Sequence, residues 1–220
     1  DPNNTTFQAL LANAYLGQGE TLKAAEVFEA LRLRGRITAQ QLEMIGNIYM
    51  DKGLNTLALG SYLEALAKEE KFSAPRHLKI GRILADYGDP KAAAKYLAEV
   101  EKKAGDSLDS DQVAEMLLIR VKIAEAAGDT KEVKHLFREV IKRQPSNGKA
   151  MCDLAKVIDN EARSAPEAKA ANQLTSEAKA LLKSALALDE PETNYLSNLR
   201  LGQLHVARKE YITAINFLDR

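Results

Sequence analysis

The chain has 220 residues, 45% hydrophobic and 28% charged, with few aromatics and no tryptophan. That is enough to bury a sizeable core, in a composition that favours helix. Its 31 basic side chains balance 31 acidic ones, which removes any global electrostatic case for a nucleic-acid or anionic-membrane partner; the single cysteine, Cys152, excludes an intrachain disulfide and a cysteine metal cluster. No apolar run approaches the roughly 18 residues of a membrane span.

The opening "DPNN" has neither an initiator methionine nor a signal peptide, so the chain reads as an excised piece of a longer one. The first predicted helix pair lies in "LLANAYLGQGETLKAAEVFEAL" (10–31), with Gly19 in its turn and Thr21 as the cap of the second helix. The second, "MIGNIYMDKGLNTLALGSYLEAL" (44–66), superposes on it: Tyr15 on Tyr49, Gly19 on Gly53, Ala24 on Ala58 and Phe28 on Tyr62, each pair 34 apart. Its first helix carries the apolar stripe Leu42, Ile45 and Tyr49. "TAQQ" at 38–41 offers a capping box, and Asn55 a cap for the helix that follows. The third copy is "KIGRILADYGDPKAAAKYLAEV" (79–100), with Asp89 placed to cap a helix opened by Pro90.

A polar, turn-rich link, "KKAGDSLDSD" (102–111), precedes the looser fourth copy "VKIAEAAGDTKEVKHLFREVIKRQP" (121–145), capped at Asp129. Two registers fit its first helix. Counting back from Gly128 sets Arg120 at an apolar position; sliding by three brings Leu117, Leu118 and Val121 onto the stripe and lengthens the turn. The fifth copy is split between "MCDLAKVIDNEA" (151–162) and "SEAKALLKSALALDEP" (176–191). Its insert "ARSAPEAKAANQLT" (162–175) is rich in Ala, Glu and Lys, which predicts longer helices rather than a projecting loop, the second opening at Pro166. The sixth is "LRLGQLHVARKEYITAINFLDR" (199–220).

This self-similarity resembles the tetratricopeptide repeat, a 34-residue helix–turn–helix unit, over essentially the whole chain. The family's small residue at position 8 corresponds to Ala12, Gly46, Gly81, Ala155 and Gly202, and its alanine at position 20 to Ala24, Ala58, Ala93, Ala178 and Ala214, with Val133 in copy four. Pro2 and Pro145 match position 32. The resemblance implies an all-α right-handed solenoid of about six repeats in one array over 1–220: 5–38, 39–72, 74–107, 114–147, 148–191 with the insertion, and 195–220 truncated. Pro2 would close a preceding repeat and Arg220 would stop within a helix, so further repeats are expected. It also explains why a helix keeps Gly46: position 8 faces the partner helix, and a side chain there would push the pair apart.

For catalysis the sequence offers little. His77, His135 and His205 are scattered, with the first and last at core positions and His135 read as exposed. No nucleophile elbow, phosphate loop or metal motif is present. Cys152 takes position 5, which in this family faces the groove, so a reactive thiol there stays open. No catalytic residue, metal ligand or cofactor is expected, and the chain reads as a non-enzyme. Binding is better founded. In the family the first helices line a concave groove, and position 9 there reads Asn13, Asn47, Arg82, Lys122, Lys156 and Gln203. With Lys79 at position 6 they form a polar row that turns basic in the middle, suited to an extended peptide of acidic character. Against this, Glu43, Asp86, Glu115, Glu125, Asp153 and Asp159 also fall on groove positions and could neutralise the row. The clamp that holds chaperone tails in some family members is not matched, because Ala9, Met44 and Pro75 stand where Lys, Asn and Lys are needed.

The leading expectation is a protein-interaction scaffold binding a peptide segment or partner protein in its groove, within a multiprotein assembly, without nucleic acid or membrane insertion. The alternative is a structural spacer or self-assembly module, such as the periplasmic repeats of a bacterial export or secretion system. A weaker third is the regulatory segment of an enzyme. The expected location is soluble, either cytoplasmic or bacterial periplasmic.

Overall fold

The structure is a computed structural model that describes residues 4–68, 71–87 and 89–219. Pro2, Gly88 and Arg220, read above from the repeat pattern, lie outside the described residues. Among those residues every regular element is helical, and consecutive helices pack in pairs. The chain divides into two compact units, one through Ser107 and one from Leu108, and the division falls within the polar link 102–111.

The first unit holds α1 (Thr5–Gly17), α2 (Thr21–Leu33), α3 (Ala39–Asp51), α4 (Asn55–Ala67), α5 (Ala74–Asp86) and α6 (Pro90–Ala104), closed by a 3₁₀ turn, Gly105–Ser107. Five of these six helices are 13 residues long, as a 34-residue repeat requires. Thr38 and Gln41 form the capping box read from "TAQQ", with both reciprocal bonds made. Asp89 caps α6 through the Ala92 N–H at 2.8 Å. Thr21 and Asn55 are not caps: each is the first residue inside its helix, after Glu20 and Leu54. The αL glycines Gly19 and Gly53 turn the chain one residue earlier than a conventional cap would, and the backbone of the turn supplies the bonds.

The second unit holds α7 (Ser110–Ala127), α8 (Thr130–Arg143), α9 (Gly148–Ser164), α10 (Ala168–Leu186), α11 (Pro191–Ala207) and α12 (Tyr211–Leu218). The insert is helical, extending α9 to 17 residues and α10 to 19. Pro166 sits before α10 rather than at its start, and the helix opens at Ala168. In α7 the helix runs unbroken to Ala127 and ends on αL Gly128, so the register counted from Gly128 holds. Leu117, Val121 and Ala124 are buried, while Arg120 is half-buried.

The small residues at position 20, Ala24, Ala58, Ala93, Ala178 and Ala214, are all buried, as is Val133. Around them pack Phe28, Leu42 and Ile45 in the first unit, and Leu154, Ile158 and Leu182 in the second. Each such Leu or Ile contributes about 1.5–3 kcal/mol when fully buried. Gly46 has a more specific reason than backbone approach. A Cβ there would lie 2.5 Å from Cε1 of the Tyr62 ring, which is itself buried. Glycine lets a large aromatic of the second helix lie flat on the first.

Candidate groove site

Each first helix presents its position-9 residue one step after the buried position-8 residue, which fixes the direction of the row. Asn13, Asn47, Arg82, Lys122, Lys156 and Gln203 are all exposed, and Lys79 is half-buried. In the first unit Asn47 is the hub. Its Oδ1 accepts the Tyr62 hydroxyl at 2.7 Å and the Lys79 ammonium at 2.5 Å, and that ammonium stands 4.8 Å over the Tyr62 ring. Burial pushes the Tyr62 phenol up to about 12, with Arg82 opposing and Glu43 and Asp51 adding to the rise. Lys79 is therefore already engaged. The amide of Asn47, with its oxygen occupied, presents N–H donors to an incoming acceptor. Asn13 lies two helices earlier, and no contact joins it to this cluster.

In the second unit Lys156 and Gln203 line one cavity of about 180 Å³, together with Asp159, Asn160, Arg163 and Arg200. Lys122 does not line it; its ammonium lies 3.4 Å from Glu125 on its own helix. Of the six acidic groove residues, Glu43, Glu125, Asp153 and Asp159 have ion pairs, and three of these pairs are with cations outside the position-9 row. Glu43 binds Arg76 at 2.6 Å, Asp159 binds Arg163 at 2.6 Å and Asp153 binds Arg200 at 3.0 Å. Among the described residues nothing pairs with Lys156. Arg200 Nε is shielded from water and has no hydrogen-bond partner there either.

Arg76, Arg163 and Arg200 are the residues the position-9 reading missed. Arg200 stands at position 6, the position that singled out Lys79, so reading position 6 along every copy would have found Arg200, though not its pairing with Asp153. Arg163 had no such signal, because it lies in the insert.

Cys152 is fully buried, its sulfur 3.1 Å from the Ser197 hydroxyl, and burial pushes the thiol up. It packs α9 against α11 and does not reach the groove as a reactive thiolate. His77 is buried, its Nδ1 2.8 Å from the Ser73 carbonyl and its ring 4.4 Å from Phe72. His205 is buried against Phe217 and bonded to Glu210. No group of three or more His, Cys, Asp and Glu among the described residues could hold a metal ion, and no described helix is long and apolar enough to cross a membrane.

The family model for the tetratricopeptide repeat matches residues 9–75. Over nearly the full length, the fold is similar to a tetratricopeptide repeat protein from Parabacteroides merdae, at a TM-score of 0.72 and 17% identity, covering 99% of this chain and 78% of that one. Residues 9–75 thus match the tetratricopeptide repeat, and the fold of the chain is similar to that of tetratricopeptide repeat proteins. PilW, a widely conserved type IV pilus biogenesis factor, is similar at a TM-score of 0.68 and 16% identity, covering 98% of this chain and 90% of PilW. Pseudomonas aeruginosa pilF is similar at 0.66 and 15%, covering 96% and 87%. No curated protein matches the sequence. At such identities these likenesses speak to the fold. Within the tetratricopeptide register, Lys209 occupies the turn position held elsewhere by Gly19, Gly53 and Gly128, and it adopts the same left-handed backbone at φ 62°.

Proposed function

We propose that this chain is a non-enzymatic scaffold that holds an acidic peptide segment on the first helices of its second unit. The observation that carries this reading is the cavity beside Lys156. Lys156, Arg163, Arg200 and Asp159 line it; Asp159 is paired with Arg163, and Arg200 with Asp153, which is not in the lining. Lys156, exposed and without an ion pair among the described residues, is left with hydrogen-bonding capacity that a ligand carboxylate would satisfy. Gln203 and Asn160 add amides that suit an extended backbone. In the first unit, described by itself, Lys79 orients Asn47, whose amide N–H groups suit a peptide carbonyl.

The test uses an acetylated, amidated hexapeptide of alternating leucine and glutamate, titrated against the whole chain by fluorescence anisotropy. Lys156→Glu with Gln203→Glu should weaken binding at least 10-fold without lowering the melting temperature, and salt should weaken it further. Unchanged affinity in the double variant would remove the groove as the site.

A structural role is the second reading, favoured by a specific feature. α12 exposes Tyr211, Ile212, Ile215 and Leu218 together, an apolar face that a following repeat of a longer chain and a neighbouring molecule would cover equally well. Similarity in fold to a pilus biogenesis factor agrees with a place in a bacterial surface assembly. Light scattering that showed mass rising with concentration, and falling in Ile212→Glu, would support it.

A further inference from the structure

The insertion in the fifth repeat has a consequence outside the groove. α9 runs to Ser164, and its last turns line a cavity of about 570 Å³ together with the α7–α8 turn and the start of α8. This is within the range of about 300–1,000 Å³ typical of ligand pockets, and well above the 180 Å³ of the groove cavity. Val157, Asn160, Glu161 and Ser164 of α9 face it at helical spacing. The floor is apolar, made by Val133 and Val157, and Gly128 leaves one wall without a side chain. The rim is polar and partly unengaged. Lys134 is paired with Glu161, but among the described residues nothing pairs with Lys131, and the Asn160 amide has no partner.

We infer that this cleft is a second binding site, distinct from the groove, for a short peptide segment carrying one aromatic or large aliphatic side chain beside a carboxylate. The side chain fills the Val133–Val157 floor, and the carboxylate meets the exposed ammonium of Lys131. Asn160 bonds the segment's backbone. Charge decides the acidic neighbour, since the one rim group left uncompensated is a cation. Asn160 lines both this cleft and the groove cavity, so the final turns of α9 are a partition between two sites. A segment leaving the groove could cross it and continue into the cleft.

The probe is acetylated, amidated alanyl-phenylalanyl-aspartyl-alanine, added to the isotope-labelled whole chain and followed by amide chemical shifts. The expected shifts centre on Gly128, Lys131, Val157 and Ser164. Replacing the probe's phenylalanine by alanine, or its aspartate by asparagine, should weaken binding about 10-fold. Lys131→Glu should do the same, and Val157→Phe should abolish binding by filling the floor; Lys131→Glu lies on an exposed surface and keeps the test valid if Val157→Phe does not fold. Lys156→Glu should leave this cleft's affinity unchanged, which separates it from the groove. Shifts confined to the groove, or equal in Lys131→Glu, would overturn the site. Phenylpropionate binding as tightly as the peptide would overturn the peptide assignment in favour of a small carboxylic acid, and shifts that follow protein concentration rather than probe would assign the cleft to a second copy of the chain.

Discussion

The two units solve the same packing problem differently. In the first, short helices of equal length interlock through Gly46 under Tyr62 and Gly81 beside Leu97, and the polar row is bonded into the structure: Tyr62 and Lys79 both end on Asn47. In the second, position 8 is Val121, Ala155 and Gly202, the helices are mostly longer, and the Cys152–Ser197 contact joins alternate helices α9 and α11. In the first unit those polar side chains bond at an exposed residue, Asn47. In the second unit the stretched repeat lines two cavities, one at Lys156 and one at Lys131, each beside a cation without an ion pair among the described residues. Of its longer helices, α9 lines both.

That contrast can be broken most sharply at position 8. Gly46→Ala puts a methyl into a buried ring and should cost about 2 kcal/mol, since overpacking of about 1–3 kcal/mol outweighs the helix propensity gained. Gly202→Ala also meets a close neighbour, but that neighbour is the end of the half-exposed Leu218, which can swing aside. It should be neutral or slightly stabilising. Urea unfolding with hydrogen exchange resolved by helix would show the loss in α3 and α4 alone; equal costs at both glycines would refute the reading of Tyr62 as a fixed lid.

A smaller effect is expected at alkaline pH. Tyr49 and Tyr62 of the first unit are both pushed from 10 to about 12, chiefly by burial, and Tyr49 also by its bond to Glu29. A phenol whose folded value is raised contributes stability that is complete below pH 10 and is lost as pH climbs towards 12. Absorbance at about 295 nm should show two late-ionising tyrosines that vanish in the double Tyr→Phe variant, which also loses the bond to Asn47, worth about 1 kcal/mol. Ionisation of all tyrosines near pH 10 would sink this. The smallest change is a gain. Lys209→Gly should stabilise the last turn by about 0.5 kcal/mol, because glycine adopts positive φ without a Cβ penalty. A lower melting temperature would show that the lysine makes up for its strain elsewhere.

What the sequence settled by itself is the part set by short-range rules. The spacing of Ala24, Ala58, Ala93 and Ala214, the αL turns at Gly19 and Gly53, and the capping box at Thr38 each need only a few neighbouring residues. Those rules therefore fixed the helices, their pairing and the direction of the position-9 row. The caps at Thr21 and Asn55 failed where turn glycines moved the boundary by one residue. Tertiary structure alone decided which charges are engaged. Whether Lys79 is bound and Lys156 is not depends on side chains some 30 or more positions away, as with Lys79 on Asn47 or Arg200 on Asp153. Electrostatic pairing acts over a few ångströms of space, and no spacing along the chain encodes that distance once an insertion has shifted the helices.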